Sequence, residues 1–224
     1  MTRSLPALVV LSVLCAAPTQ AQTTIDTGPT DRPGVTLLYG VVPTVGQIWA
    51  GQTFTVPAVD YLLSTFSFTS FTSSPSPGFS IAPVGYLAAW SGSSLSGPIL
   101  FSATYASSQA GALQGTTDYL WNVGGLGLTP GAQYAAFVSA TTAYPGGVPF
   151  AAADYAGGDW IQGVSDGGVP TSWVSPGWVD WLESEDLVFR AEFASVSVPE
   201  PGTGLLMLTG LLGLGFVARR RREG

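Results

Sequence analysis

The chain has no histidine and no lysine, and its only cysteine is Cys15. Without histidine there is no Ser-His-Asp triad, no imidazole ligand for zinc or copper, and no side chain poised as a general base near neutral pH. Without lysine no Walker-type phosphate loop can be completed. The single thiol sits in an N-terminal apolar stretch read below as a leader. The remainder therefore has no thiol catalysis, no disulfide and no cysteine metal site. Basic charge is scarce as well. Between Gln22 and Val198, twelve acids face two arginines, Arg32 and Arg190, for a formal charge of −10. A surface of that sign repels phosphate backbones and argues against nucleic acid as a partner. Carboxylates, hydroxyls and aromatic rings are what is left to do chemistry. A stretch as long as Gln22 to Val198 suits one domain with a real core.

Long hydrophobic runs occur only at the two ends. Residues 1–21 have the form of a secretory signal peptide: Arg3, an apolar run from Leu5 to Ala17, and Thr19-Gln20-Ala21 as a small-x-small site. Signal peptidase is expected to cut between Ala21 and Gln22; an uncleaved anchor is the alternative. Leu14 before Cys15 does not suit lipid attachment. At the other end Val198-Pro199-Glu200-Pro201 is followed by an uncharged Gly/Leu-rich run over residues 202–218, then Arg219, Arg220, Arg221 and Arg222. That run reaches about 25 Å as a helix, the short end of what spans a bilayer core. The arginines would stop the span on the cytoplasmic side, leaving everything before Pro199 outside. Pro199 and Pro201 hold Val198 and Glu200 out of helical geometry, which gives an extended, accessible segment of the kind a processing enzyme needs.

This three-part order resembles a PEP-CTERM sorting signal, the tail recognised by exosortases in Gram-negative bacteria. The resemblance implies export as an inner-membrane-anchored precursor, processing near Pro199-Glu200-Pro201, and a mature protein at the cell surface or in the extracellular matrix, with no membrane span left. A permanent C-terminal membrane anchor uses the same helix and topology and stays open.

Between the ends the chain is rich in Thr, Val, Phe, Tyr and Trp and punctuated by Gly and Pro. Period-two alternation places Phe66 and Phe68 opposite Ser67 and Thr69, and Leu187, Phe189, Ala191 and Phe193 opposite Arg190 and Glu192. Residues 134–138 read as a strand buried on both faces. Further strands are expected over 47–56, 84–90, 99–105 and 119–123. Turns are expected at 74–78, 91–93, 129–131, 144–147 and 166–168. The fold class is therefore all-β, an antiparallel β-sandwich or jelly roll, flanked by the signal peptide and the transmembrane helix. The segments are a signal peptide (1–21), a flexible lead (22–34), the β-sandwich ectodomain (35–194), a linker with the Pro-Glu-Pro motif (195–201), the membrane helix (202–218) and an Arg-rich cytoplasmic end (219–224). Gly51-Gln52-Thr53-Phe54, residues 128–134, residues 154–158 and residues 186–190 are similar to signposts in ectodomains that precede PEP-CTERM tails. That similarity implies a lectin-like architecture without an assigned activity.

Three groups of residues bear on chemistry. Asp180, Glu183, Glu185 and Asp186 form the densest acidic cluster; a pair of them could serve glycoside hydrolysis, or the cluster is a solvated loop leading into the last strand. Asp154, Asp159 and Asp166 lie in Gly-rich stretches whose carbonyls and carboxylates suit calcium, or they cap turns through their own backbone. Trp160, Trp173, Trp178 and Trp181 are close in sequence. Of these, Trp173, Trp178 and Trp181 are candidates for stacking on a sugar ring, against the alternative that they fill the core. The expected function is a structural or adhesive role in the envelope or an exopolysaccharide matrix, with no catalytic residues and no obligate cofactor. A carbohydrate-binding module is the first alternative and a carboxylate-dependent hydrolase the second. The expected partners are exosortase, signal peptidase, the membrane before processing, and polysaccharide.

Overall fold

Strands form where aromatic and β-branched residues alternate with small polar ones, because one face can then be buried and the other wetted. The computed structural model describes residues 22–29, 36–42, 46–72, 83–105, 115–140, 146–149, 155–174 and 186–194, with four further positions in the tail. The strands are β1 (Gln22–Asp26), β2 (Thr36–Val42), β3 (Gly46–Thr55), β4 (Leu62–Thr72), β5 (Val84–Trp90), β6 (Leu95–Thr104), β7 (Gly115–Gly127), β8 (Gln133–Ser139), β9 (Gly146–Pro149), β10 (Trp160–Ser165), β11 (Trp173–Val174) and β12 (Phe189–Ala194). Every pairing is antiparallel. The hydrogen-bonded path runs β1-β12-β4-β9-β2-β3-β8-β5-β6, with β7 on the free flank of β4, β10 on β3 and β11 on β10. The expectation of an antiparallel all-β domain is met.

The path folds into two layers at β2, whose N-terminal half pairs β9 and whose C-terminal half pairs β3. One layer is β1-β12-β4-β7 and the other β10-β3-β8-β5-β6. Phe54 of β3 meets Phe189 and Phe193 of β12 at ring distances of 5.7 and 6.0 Å. Phe66 of β4 meets Phe101 of β6 at 5.8 Å. These pairs cross from layer to layer, and each adds about 0.5–1.5 kcal/mol beyond its buried area. Trp121 of β7 reaches across as well: its Nε1 donates to the Ala103 carbonyl of β6 at 3.0 Å.

β8 is buried on both faces, as its unbroken apolar run predicts. Tyr134, Ala136 and Val138 join the inter-layer core, while Ala135 and Phe137 join a second cluster on the outer face with Trp49, Trp90 and Ile161. Tyr86, Val169 and Trp173 pack over that cluster.

Two expectations need correction. The flexible lead expected from residue 22 begins instead with β1, which pairs β12 from Gln22↔Ala194 to Asp26↔Arg190 and buries Ile25. Its partner lies at the far end of the domain in sequence, so local composition carries no sign of it. The last strand, expected from residue 186, starts at Phe189. Asp186 is diverted into a buried polar network, and the acidic segment is not simply solvated there. Within that network Gln52 Nε2 donates to one Asp186 carboxylate oxygen, the Tyr155 amide donates to the other, and the Leu187 amide donates to Gln52 Oε1 at 3.0 Å. Gln52 and Asp186 are fully buried, so the carboxylate depends on these donors for what water would otherwise supply.

Candidate functional site

The outer face of the β1-β12-β4-β7 layer is the polar one. Alternation turns Phe189, Ala191 and Phe193 inward, which sends Arg190 and Glu192 outward. The register then sets Asp26, Arg190 and Ser67 side by side across three strands, and Glu192 beside Thr65. Thr69 and Asp118 are direct partners on β4 and β7. A shallow cavity of about 220 Å³ opens on this face, lined by Asp26, Ser67, Thr69, Asp118, Val188 and Arg190, with Pro29 at its rim.

Arg190 holds the centre. Its Nη2 lies 2.9 Å from Glu192 Oε1 and its Nη1 3.7 Å from Asp26 Oδ2. The guanidinium is half-exposed, so these pairs are worth at most about 1 kcal/mol and serve more to orient the side chains. Asp26 Oδ1 accepts the Gly28 amide at 2.8 Å, and Asp118 Oδ1 accepts the Thr69 hydroxyl at 2.6 Å. The groove thus presents one planar donor, several fixed carboxylate oxygens and hydroxyls in a row. Such a set suits a hydroxyl-bearing ligand. Asp26 and Asp118 sit three strands apart, about 14 Å between backbones at the usual strand spacing.

The residues singled out in the sequence are distributed elsewhere. Asp159 and Asp166 flank β10 at opposite ends, about 20 Å apart along an extended strand, so they do not share one ion. Asp154 lies outside the described residues. Among the described residues no group of three or more His, Cys, Asp or Glu side chains comes together around a metal position. Trp160 is buried in the core. Trp173 is no flat exposed platform: its ring stands edge-on to Phe137 at 5.1 Å and against Gly163, half-buried, with its Nε1 buried. It packs because Phe137 and Ile161 leave an apolar outer face to be covered. Trp178, Trp181, Asp180, Glu183 and Glu185 lie outside the described residues, as do Ala21, Pro199, Glu200, Pro201 and Arg220 to Arg222. Nothing in the sequence singles out Asp26, Asp118, Ser67, Thr69 and Arg190 together. Alternation puts Ser67, Thr69 and Arg190 on solvent faces, but only strand adjacency makes them neighbours.

Burial pushes the Tyr155 phenol above its usual range; its hydrogen bond to the Thr55 carbonyl opposes that, and the Asp186 charge adds to it. Burial raises Tyr86 too.

The tail is decided by comparison with known families. Residues 197–222 match the PEP-CTERM protein-sorting motif. The chain carries a PEP-CTERM tail. A PEP-CTERM signal is the substrate signal of exosortase and implies export and sorting to the cell surface. No curated protein and no solved structure matches the chain. Among the described residues no helix is long and apolar enough to cross a membrane. The expected span over residues 202–218 falls almost wholly outside them; Gly210, Leu211, Leu214 and the following Arg219 are helical and exposed.

Proposed function

We propose that this PEP-CTERM protein is a structural or adhesive component of the bacterial envelope or its exopolysaccharide matrix, made as a precursor with a cleaved signal at Ala21–Gln22 and a transient membrane helix over residues 202–218. The match at residues 197–222 carries the reading. One feature supports it further: the β1-β12-β4-β7 layer turns a hydroxyl- and carboxylate-lined face to solvent. Intact mass of the protein made in its native host tests the processing. A C-terminus within residues 199–201, in the surface or released fraction, is the expected result. A full tail retained in the inner membrane would replace the sorting reading with a permanent anchor.

The groove around Arg190 favours a second reading, carbohydrate binding, centred on Arg190, Asp118, Ser67 and Thr69 rather than on Trp173. Neutral sugars are recognised by such mixed donors and acceptors, with Pro29 and Val188 as apolar walls. Retention on the host's own polysaccharide should be lost in Asp118→Ala/Arg190→Ala, with stability changed by about 1 kcal/mol or less. Hydrolysis is the weakest reading. The carboxylates of this face are already engaged, Asp26 and Glu192 by Arg190 and Asp118 by the Thr69 hydroxyl, whereas glycoside hydrolysis needs a facing pair available to the scissile bond.

A further inference from the structure

The hydrogen-bonded path ends at β1 and β6, and these two ends are unlike. β1 carries Asp26, with Arg190 and Glu192 beside it, and the free flank of β7 carries Asp118. Charges of this kind deter edge-to-edge pairing. β6 has none: its ten residues, Leu95 to Thr104, are uncharged and mostly exposed, and they include the exposed Ile99 and Leu100. The register with β5 shifts at Gly97-Pro98 and again at Leu100, which bulges out between Ile99 and Phe101; both irregularities lie in the part of the strand before Phe101. The second half is regular, from Leu87↔Phe101 to Val84↔Thr104.

Parity fixes which backbone groups face away from β5 there. The Tyr105 amide donates to the Pro83 carbonyl at 2.8 Å, so Tyr105, Ala103 and Phe101 direct their backbone groups at β5. Ser102 and Thr104 direct theirs away from it. The side chains divide the same way: Phe101, Ala103 and Tyr105 pack into the core, while Leu100, Ser102 and Thr104 are exposed.

We propose that this edge pairs with the same edge of a second copy, antiparallel about a twofold axis at Ser102. Ser102 then bonds its own counterpart, Leu100 meets Thr104 of the other copy, and the β10-to-β6 layers of two molecules become one continuous sheet. A second copy is the occupant because antiparallel pairing makes a strand its own complement. It is also because two domains of charge −10 repel through most faces and least through an uncharged strand. The pairing goes beyond the sorting reading and stands independently of it, since it is tested on purified protein.

A single thiol reads the register. In a hydrogen-bonded antiparallel pair the Cα atoms are about 5.5 Å apart, inside the range a disulfide bridges. The full chain carrying Cys15→Ser and Ser102→Cys should form a disulfide dimer under mild oxidation, while Cys15→Ser/Thr129→Cys, with its thiol in the exposed β7–β8 turn, should stay monomeric. In sedimentation velocity over a concentration series, the Cys15→Ser chain should show a dimer that Leu100→Lys abolishes without changing the circular dichroism. Equal cross-linking at positions 102 and 129, as association through the apolar tail would give, overturns the proposal. So does a monomer at every concentration, or a dimer indifferent to Leu100→Lys.

Discussion

Replacing Gly85 by alanine tests whether the two layers are held at contact distance by a ring lying on a bare backbone. A Cβ at residue 85 would stand 2.5 Å from Trp121 Cε2, 2.6 Å from Cδ2 and 2.8 Å from Nε1. Carbon atoms pack at about 3.5–4.0 Å, so the indole must retreat by about 1 Å. It has little room: it stacks on Phe66 at 5.2 Å and meets Tyr105 edge-on at 6.0 Å. Overpacking of this kind costs about 1–3 kcal/mol. The retreat also breaks the Trp121–Ala103 hydrogen bond, worth about 1 kcal/mol. A total near 3 kcal/mol lowers Tm by roughly 6–12 °C for a domain of this size. Thermal unfolding followed by circular dichroism measures it. Gly127→Ala is the control: a Cβ there meets only Leu62 Cδ2 at 3.8 Å, and the backbone is not in the left-handed region. That variant should be neutral or gain a few tenths of a kcal/mol from a stiffer unfolded chain. If Gly85→Ala also holds or raises Tm, Trp121 does not bridge the layers as described.

Gln52→Ala removes a donor from the buried Asp186 carboxylate and an acceptor from the Leu187 amide. A loss of about 3 kcal/mol is expected by chemical denaturation, larger than for truncating any hydroxyl on the outer face, since a buried charge left short of donors bears its desolvation uncompensated. Alkaline pH should loosen the domain. Tyr155 and Tyr86 keep their protons longer in the folded chain than in the unfolded one, where a phenol ionises near about pH 10. Between that pH and their raised values the folded state binds more protons, so stability is intact below about pH 10 and falls as pH rises above it. A Tm series from pH 8 to 11 should show that decline, and Tyr155→Phe should flatten it.

What the sequence discloses about this fold is what alternation can disclose. Phe66 and Phe68, Phe189 and Phe193, and the unbroken run 134–138 declare their strands and their buried faces, because period two follows from the pleat alone. Turns at 91–93, 129–131 and 166–168 fall between strands, as their Gly and Pro content requires. β1 and β9 carry no such signature: both are short and made strands by partners far along the chain, and β9 takes Gly146 and Gly147 from the turn expected at 144–147. The same reason hides the groove. Asp26, Ser67, Asp118 and Arg190 come from four strands scattered along nearly the whole domain, and no spacing rule connects them. The tail is the opposite case: its information is linear, carried by the order of its residues, so residues 197–222 are legible without any fold.

Charge placement connects these two kinds of information. The protein's tail would deliver many copies to one surface, where an acidic domain keeps its neighbours at a distance. In such a setting the location of uncharged backbone edges decides which contacts form, because elsewhere approach is opposed by like charge. Asp26 and Asp118 close two flanks of the first layer, and the two-residue β11 leaves little of its own to pair. Among the described strands, β6 is the end of the hydrogen-bonded path that carries no charge. Adding one carboxylate there, Ser102→Asp, should raise the concentration needed for association while leaving stability within about 0.5 kcal/mol of the parent, the usual bound for an exposed substitution.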